Sequence, residues 1–247
     1  MTTSSSKVTL VVLAKAPIPG RSKTRLCPPC VPHEAAAMAE AALADTLEAG
    51  SSTSAARRVL VLSGPPGPWL PPGWEVVPQR GRGLDERLEA AFCDVGAPAL
   101  LVGMDTPQLA PELLNRCMAR LYDDHVDAVL GPASDGGFWA VGLRRPCAGA
   151  FCGVQMSTSA TGAMQRARLV TAGLRVAMLP MLRDVDCIDD AVAVAVQAPA
   201  TRFARQVHAL QDRPSVTGEP ASGINGVDGL NGVDSVNGVW HDLSPFR

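Results

Sequence analysis

Four cationic side chains fall within eleven residues near the amino terminus: Lys15, Arg21, Lys23 and Arg25. They lie in the segment Ala14-Lys15-Ala-Pro-Ile-Pro-Gly20-Arg21-Ser-Lys23-Thr24-Arg25-Leu26, whereas the whole chain carries only 22 lysines and arginines. Arginine grips phosphate oxygens in pairs and lysine offers a mobile point charge, so such a cluster suits a polyphosphate. Pro17 and Pro19 stiffen the segment, and Gly20 lets a ligand approach the backbone or allows a positive φ. The spacing fits neither the glycine-rich lysine loop of nucleoside triphosphatases nor a dinucleotide fingerprint. A solvated basic surface loop is the alternative.

Carboxylates form the second set. Asp105 ends the apolar run Ala99–Val102 and Gly103-Met104, where a charge is costly unless solvated, paired or metal-bound. Asp184 and Asp186 flank Val185, and in extended chain such i, i+2 residues point the same way. Their repulsion is relieved by a cation, and oxygen ligands of this kind suit Mg²⁺ or Mn²⁺. As alternatives, Asp105 would cap the helix opening at Pro111, and the later pair would form a solvated turn ahead of a helix from Ile188. Asp189 and Asp190 fit the amino terminus of that helix. Asp135-Gly136-Gly137 reads as a hairpin turn or an acceptor contact. Gln79 is placed to reach a nucleotide, as is Arg87 unless it forms a structural salt bridge.

Other signals carry less. Cys27-Pro-Pro-Cys30 has redox spacing but no second cysteine pair to complete a zinc site. His33, His125, His208 and His241 are dispersed and form no nucleophile–base pattern. Ser157-Thr158-Ser159 reads as the cap of the next helix. Trp139 reads as core or pocket wall.

The elements that must hold these residues alternate. Val8–Leu13, Arg58–Leu62, Trp74–Val77, Ala99–Val102, Ala128–Leu130, Phe138–Leu143 and Arg175–Leu179 read as strands. Helices are expected over His33–Glu48, Leu84–Cys93, Pro111–Tyr122, Thr158–Thr171 and Ile188–Val196. That alternation predicts an α/β fold with a mostly parallel, doubly wound sheet and helices on both faces, binding ligands beyond the carboxyl ends of its strands. Residues 1–210 form one expected domain, and 211–247, with a recurring Asn-Gly-Val hexapeptide, a flexible tail.

Five motifs in order resemble one family: Ala14–Leu26, Gly83-Leu-Asp85-Glu-Arg87-Leu, Gly103-Met-Asp105-Thr-Pro107-Gln-Leu109, Gly131-Pro-Ala-Ser-Asp135-Gly136-Gly137-Phe and Asp184-Val-Asp186-Cys-Ile-Asp189-Asp190. Across about residues 8–200 the chain resembles the rSAM/selenodomain-associated (arsenosugar-type) transferases of the GT-A superfamily. It is similar to 2-phospholactate guanylyltransferases and, more distantly, to molybdenum-cofactor guanylyltransferases. The resemblance implies a GT-A fold, nucleotide chemistry and metal-binding aspartates, and it sets a polar segment like 157–159 near the acceptor pocket.

The combined expectation is a metal-dependent nucleotidyltransferase using Mg²⁺ or Mn²⁺. Lys23, Arg25 and Asp105 are its catalytic candidates. Ala14, Lys15, Gly20, Arg21, Lys23, Arg25, Gln79 and Arg87 are its nucleotide contacts. Asp105, Asp184 and Asp186 are its metal ligands, and Asp135, Gly136 and Gly137 its acceptor contacts. A glycosyltransferase with a nucleotide-sugar donor is the alternative on the same fold; a non-catalytic nucleotide sensor or scaffold is the alternative of another class.

Composition agrees. With 22 basic and 24 acidic residues the net charge is −2, against a general nucleic-acid binder. Hydrophobic residues make up 47% of the chain, enough for a sizeable core. No apolar run approaches the roughly 20 residues of a membrane span. Met1–Ser6 is polar with no export signal, so a cytoplasmic protein with reduced thiols is expected. Its partners would be a nucleoside triphosphate or nucleotide-sugar and a small acceptor; a homo-oligomer is compatible.

Overall fold

The computed structural model describes residues 7–213. The expected tail with its hexapeptide repeat lies, apart from its first three residues, outside the described residues. Seven strands form one sheet: β1 (Thr9–Lys15), β2 (Arg57–Ser63), β3 (Glu75–Pro78), β4 (Ala99–Gly103), β5 (Ala128–Pro132), β6 (Phe138–Leu143) and β7 (Val176–Met178). Their order is β3-β2-β1-β4-β6-β5-β7. Neighbours run parallel except β6, which is antiparallel to both β4 and β5. That reversal follows from the tight β5–β6 turn, since only antiparallel strands can be joined so closely.

The helices are α1 (Pro32–Ser51), α2 (Leu84–Val95), α3 (Pro111–Arg120), α4 (Thr161–Thr171), α5 (Ile188–Gln197) and α6 (Arg202–Gln211), with a 3-10 turn at Thr24–Leu26. None of the described helices is long and apolar enough to cross a membrane. Strand alternation divides the core. Leu10, Val12 and Ala14 of β1 pack with Leu43 and Leu47 of α1 and Leu114 of α3, while Val11 packs with Leu88 and Ala91 of α2 and Leu169 of α4. Burying both faces explains the nearly unbroken apolar strands read from sequence.

Two differences from the expected elements have physical causes. α4 begins at Thr161 and not at Thr158, because Ser157 takes a left-handed conformation (φ 61°) and the preceding residues turn. α6 was not expected. It carries Phe203, Ala204 and Val207 on one buried face, and the Thr201 side chain accepts from Ala204 N at 3.1 Å. Asp45 of α1, nearly buried, accepts from Arg202 N at 3.1 Å and Phe203 N at 2.8 Å, so the start of α6 is also fastened to α1.

The connections create a crevice. After β1 the chain moves outward to β2 and β3, then returns to place β4 on the other side of β1. Leu13 of β1 pairs with Gly103 of β4, so the loops leaving these strands diverge at one point. A third apolar cluster joins Leu26 and Val185, both fully buried, with α1, α5 and α6. Each of these residues lies beside a chemically important neighbour in sequence. Burying them together therefore brings the cationic loop to the late acidic pair.

Candidate active site

The loop after β1 is held by its own serine. Ser22 Oγ donates to Ala16 O at 3.2 Å and accepts from Ile18 N at 3.0 Å. Ile18 O accepts from the amides of Arg21 and Ser22, each at 3.0 Å. Gly20 provides the positive φ of 73° that this turn requires. Lys23 is also left-handed (φ 51°, ψ 38°), and its side chain is only 10% exposed. Its ammonium lies 2.6 Å from Asp105 Oδ1 and also donates to Val185 O. Arg25 Nη1 reaches Asp186 Oδ2 at 3.0 Å. A backbone bond from Val185 N to Asp105 O at 2.9 Å joins the β4 turn directly to the 184–186 segment.

These groups line one cleft of about 870 Å³. Its charged lining is Lys15, Arg21, Lys23, Arg25, Arg82 and Arg87 against Asp105, Asp135, Asp184 and Asp186, an excess of two positive charges. Among the described residues, the side chains of Lys15, Arg21 and Arg82 have no ionic or hydrogen-bonding partner.

Asp184 is the perturbed carboxyl. Burial chiefly, and then the negative charges of Asp105 and Asp135, raise its pKa to about 7, while Lys23 opposes the rise. Its buried Oδ1 has no hydrogen-bond partner, and neither do the buried Thr106 Oγ1 and Gln108 Oε1 of the adjoining turn. A buried oxygen with no donor, beside other carboxylates, is expensive unless a cation or ligand completes it. The oxygen donors of Asp105, Asp184 and Asp186 therefore fit a hard divalent cation. Among the described residues no three acidic, histidine or cysteine side chains converge as a finished metal cage. Asp105 and Asp186 are instead turned toward Lys23 and Arg25.

The sequence profile of a family described as uncharacterized proteins conserved in bacteria, DUF2064, matches residues 34–158, half of the 247-residue chain. The chain belongs to the DUF2064 family. No curated protein matches the sequence. Among solved structures, a candidate nucleotide-diphospho-sugar transferase from Desulfovibrio desulfuricans G20 is 26% identical with a TM-score of 0.72, over 83% of this chain and 96% of its own. A CMP:2-keto-3-deoxy-manno-octonic acid synthetase complexed with CTP shares the fold at 13% identity and a TM-score of 0.50, over 78% of this chain and 98% of its own. The bifunctional IspDF of Campylobacter jejuni does so at 12% identity and a TM-score of 0.50, over 75% of this chain and 53% of its own.

Most residues singled out from sequence reach the cleft of this DUF2064 protein. Ala14, Lys15, Arg21, Lys23, Arg25, Gln79, Arg87, Asp105, Asp135, Gly137, Asp184 and Asp186 all line it. Gly20 and Gly136 do not. Gly136 serves packing: a β-carbon there would lie 2.0 Å from Ser159 O, and its own carbonyl accepts from Gly162 N at 2.8 Å. Asp135 Oδ1 accepts from Gly137 N at 2.8 Å, closing the β5–β6 turn, while its charge acts on Asp184. Gln79 spends both amide hydrogens on Ala14 O (2.7 Å) and Val61 O (3.1 Å), leaving its oxygen as the group available to a ligand. Among the described residues Arg87 makes no salt bridge; its guanidinium braces the carbonyls of Gly81 and Arg82 at 3.3 Å.

One expectation is corrected. Ser157, Thr158 and Ser159 do not cap α4, whose N-cap is Ala160 with no side-chain cap bond. They line the cleft instead, as does Thr161, which donates to Gln155 O at 2.9 Å. Arg82 and Thr106 are cleft residues that the sequence reading passed over. Arg82 sits between Gly81 and Gly83, and an arginine flanked by two glycines was the available signal. Asp190 does serve the start of α5, accepting from Cys187 N at 3.1 Å.

Proposed function

We propose that this cleft performs metal-dependent nucleotidyl transfer: a small phosphorylated or hydroxylated acceptor attacks the α-phosphorus of a nucleoside triphosphate and pyrophosphate leaves. The observation that carries the reading is the meeting of Lys23 with Asp105, and of Arg25 with Asp186, beside the unpaired Lys15 and Arg21. Polyphosphate-binding and cation-binding groups thus occupy one place. The charge balance agrees. The cleft's excess of two positive charges becomes four with a divalent cation, which matches the roughly four negative charges of a triphosphate.

Lys15, Arg21, Lys23 and Arg25 hold the β- and γ-phosphates and stabilise charge on departing pyrophosphate. Asp105, Asp184 and Asp186 would hold Mg²⁺ or Mn²⁺, which when bound neutralises phosphate charge and orients the attack. Gln79 and Arg87 flank the nucleoside end of the cleft, and Asp135 and Gly137, with Ser157–Ser159, the acceptor end. The reading calls for no protein nucleophile, because the acceptor itself attacks. The resemblance of the five motifs to guanylyltransferases and arsenosugar-type transferases supports the assignment, as does the CTP-bound synthetase that shares the fold. The reactants are soluble metabolites, which suits a cytoplasmic enzyme.

Glycosyl transfer from a nucleotide-sugar is the second reading, favoured by the description of the Desulfovibrio protein. Incubation with nucleoside triphosphates, nucleotide-sugars and an acceptor panel separates the two. Pyrophosphate release supports nucleotidyl transfer; nucleoside diphosphate release from a nucleotide-sugar overturns it in favour of glycosyl transfer.

A further inference from the structure

Lys23 already occupies one of the three aspartates that would hold a cation. Its ammonium contacts Asp105 Oδ1 at 2.6 Å and the Val185 carbonyl, from a side chain 10% exposed. The residue reaches this position through a left-handed backbone conformation that residues with a β-carbon rarely adopt. By contrast, the Arg21 side chain lines the same cleft with no partner among the described residues. Lys23 therefore has a specific seat, and the cleft's positive charge is not simply spread along the loop.

That seat competes with a metal. An ammonium and a divalent ion repel strongly at contact distance, so Asp105 cannot serve both at full strength. While Lys23 holds Asp105 and Arg25 holds Asp186, the three aspartates do not close into a cage, and the buried Asp184 Oδ1 stays without a partner. A polyphosphate changes the balance. Its oxygens offer Lys23 charge-assisted bonds that replace those to Asp105 and Val185 O, which releases Asp105 toward the ion accompanying the phosphates.

We infer that Lys23 is a resident counter-ion of the aspartate site, so that the cleft takes its divalent cation as a complex with a polyphosphate and resists the free ion. The inference rests on the reading of this cleft as a cation–polyphosphate site and adds the form in which the cation arrives. Metal and phosphate binding are then coupled through one side chain, and the coupling is reciprocal.

The test measures Mn²⁺ binding to the nucleotide-free full-length protein, counting free Mn²⁺ by electron paramagnetic resonance. Wild type is compared with Lys23→Met, Lys23→Arg and Arg21→Gln, each verified as folded by thermal unfolding; Lys23→Gln replaces Lys23→Met should that variant not fold. The expected result is that Lys23→Met binds Mn²⁺ roughly tenfold or more tightly than wild type. Lys23→Arg, which keeps the counter-ion, stays near wild type. Arg21→Gln, which removes a cleft charge without freeing Asp105, changes affinity far less than Lys23→Met. Equal Mn²⁺ affinity in wild type and Lys23→Met overturns the inference and leaves the cation reading standing if Mn²⁺ still binds with nucleoside triphosphate. Equal gains in Lys23→Met and Arg21→Gln also overturn it, because general charge and not the seat would then be responsible. No Mn²⁺ binding by any form, even with nucleoside triphosphate present, removes the cation reading and the inference together.

Discussion

Asp184→Asn should make the protein more stable at alkaline pH while abolishing turnover. Burial raises the Asp184 carboxyl in the fold to about 7 from the ordinary carboxylate value of 3.8. A carboxyl whose folded pKa is raised binds its proton more tightly folded than unfolded. Its contribution to stability is therefore full below the unfolded value and is lost as pH rises through the folded one. That rise corresponds to roughly 4 kcal/mol as a ceiling. Between about pH 8.5 and about pH 5 some two units of it are recovered, on the order of 2–3 kcal/mol. Asparagine is neutral throughout and should not show that dependence. Urea unfolding of both proteins across this range supplies the difference directly. Asp184→Asn should exceed wild type by on the order of 2–4 kcal/mol at about pH 8.5, and the gap should shrink toward about pH 5. Mg²⁺ added together with a non-hydrolysable nucleoside triphosphate should stabilise wild type at high pH more than it stabilises the variant. A gap that is constant with pH, or a variant less stable than wild type at about pH 8.5, would show that charging Asp184 carries no such cost in the fold.

Three further outcomes follow from particular contacts. Gly136→Ala forces a β-carbon to within 2.0 Å of Ser159 O at a φ of 90°, and should cost about 2–4 kcal/mol in denaturant unfolding; Gly20→Ala, with open space around it, should cost only about 1–2 kcal/mol for its positive φ. Asp45→Ala strips the amides of Arg202 and Phe203 of their acceptor, and should cost about 2–3 kcal/mol with faster hydrogen exchange in α6. Arg21→Gln, whose side chain has no partner to lose among the described residues, should change stability by less than about 0.5 kcal/mol and raise KM for the triphosphate about tenfold or more, as steady-state kinetics will show.

Much of the fold was legible because its strands are buried on both faces, which writes continuous apolar runs such as Val8–Leu13 into the sequence. The site was legible where charge density or spacing was unusual: four cations in eleven residues, and an aspartate closing an apolar strand. Other features depend on contacts distant in sequence. Nothing local says that Leu26 and Val185 share one apolar cluster, yet that burial is what sets Lys23 and Arg25 against the aspartates. The expected cap at Ser157–Ser159 failed because Ser157 is left-handed and Ser159 packs against the backbone of Gly136, some twenty residues away. Likewise Asp135 read as an acceptor contact in an isolated turn, whereas its charge on Asp184 emerges only when β5 and β6 bring the turn beside the cleft. α6 did carry local signals, a threonine cap followed by Phe203, Ala204 and Val207, but these are easily lost next to a polar tail.

The most direct measurement is the anomalous scattering of Mn²⁺ in crystals grown with a non-hydrolysable nucleoside triphosphate. The expected result is a Mn²⁺ peak bounded by Asp105, Asp184 and Asp186, with phosphate oxygens on Lys15, Arg21 and a reoriented Lys23. A triphosphate bound elsewhere, or Mn²⁺ placed away from those three aspartates, would contradict it.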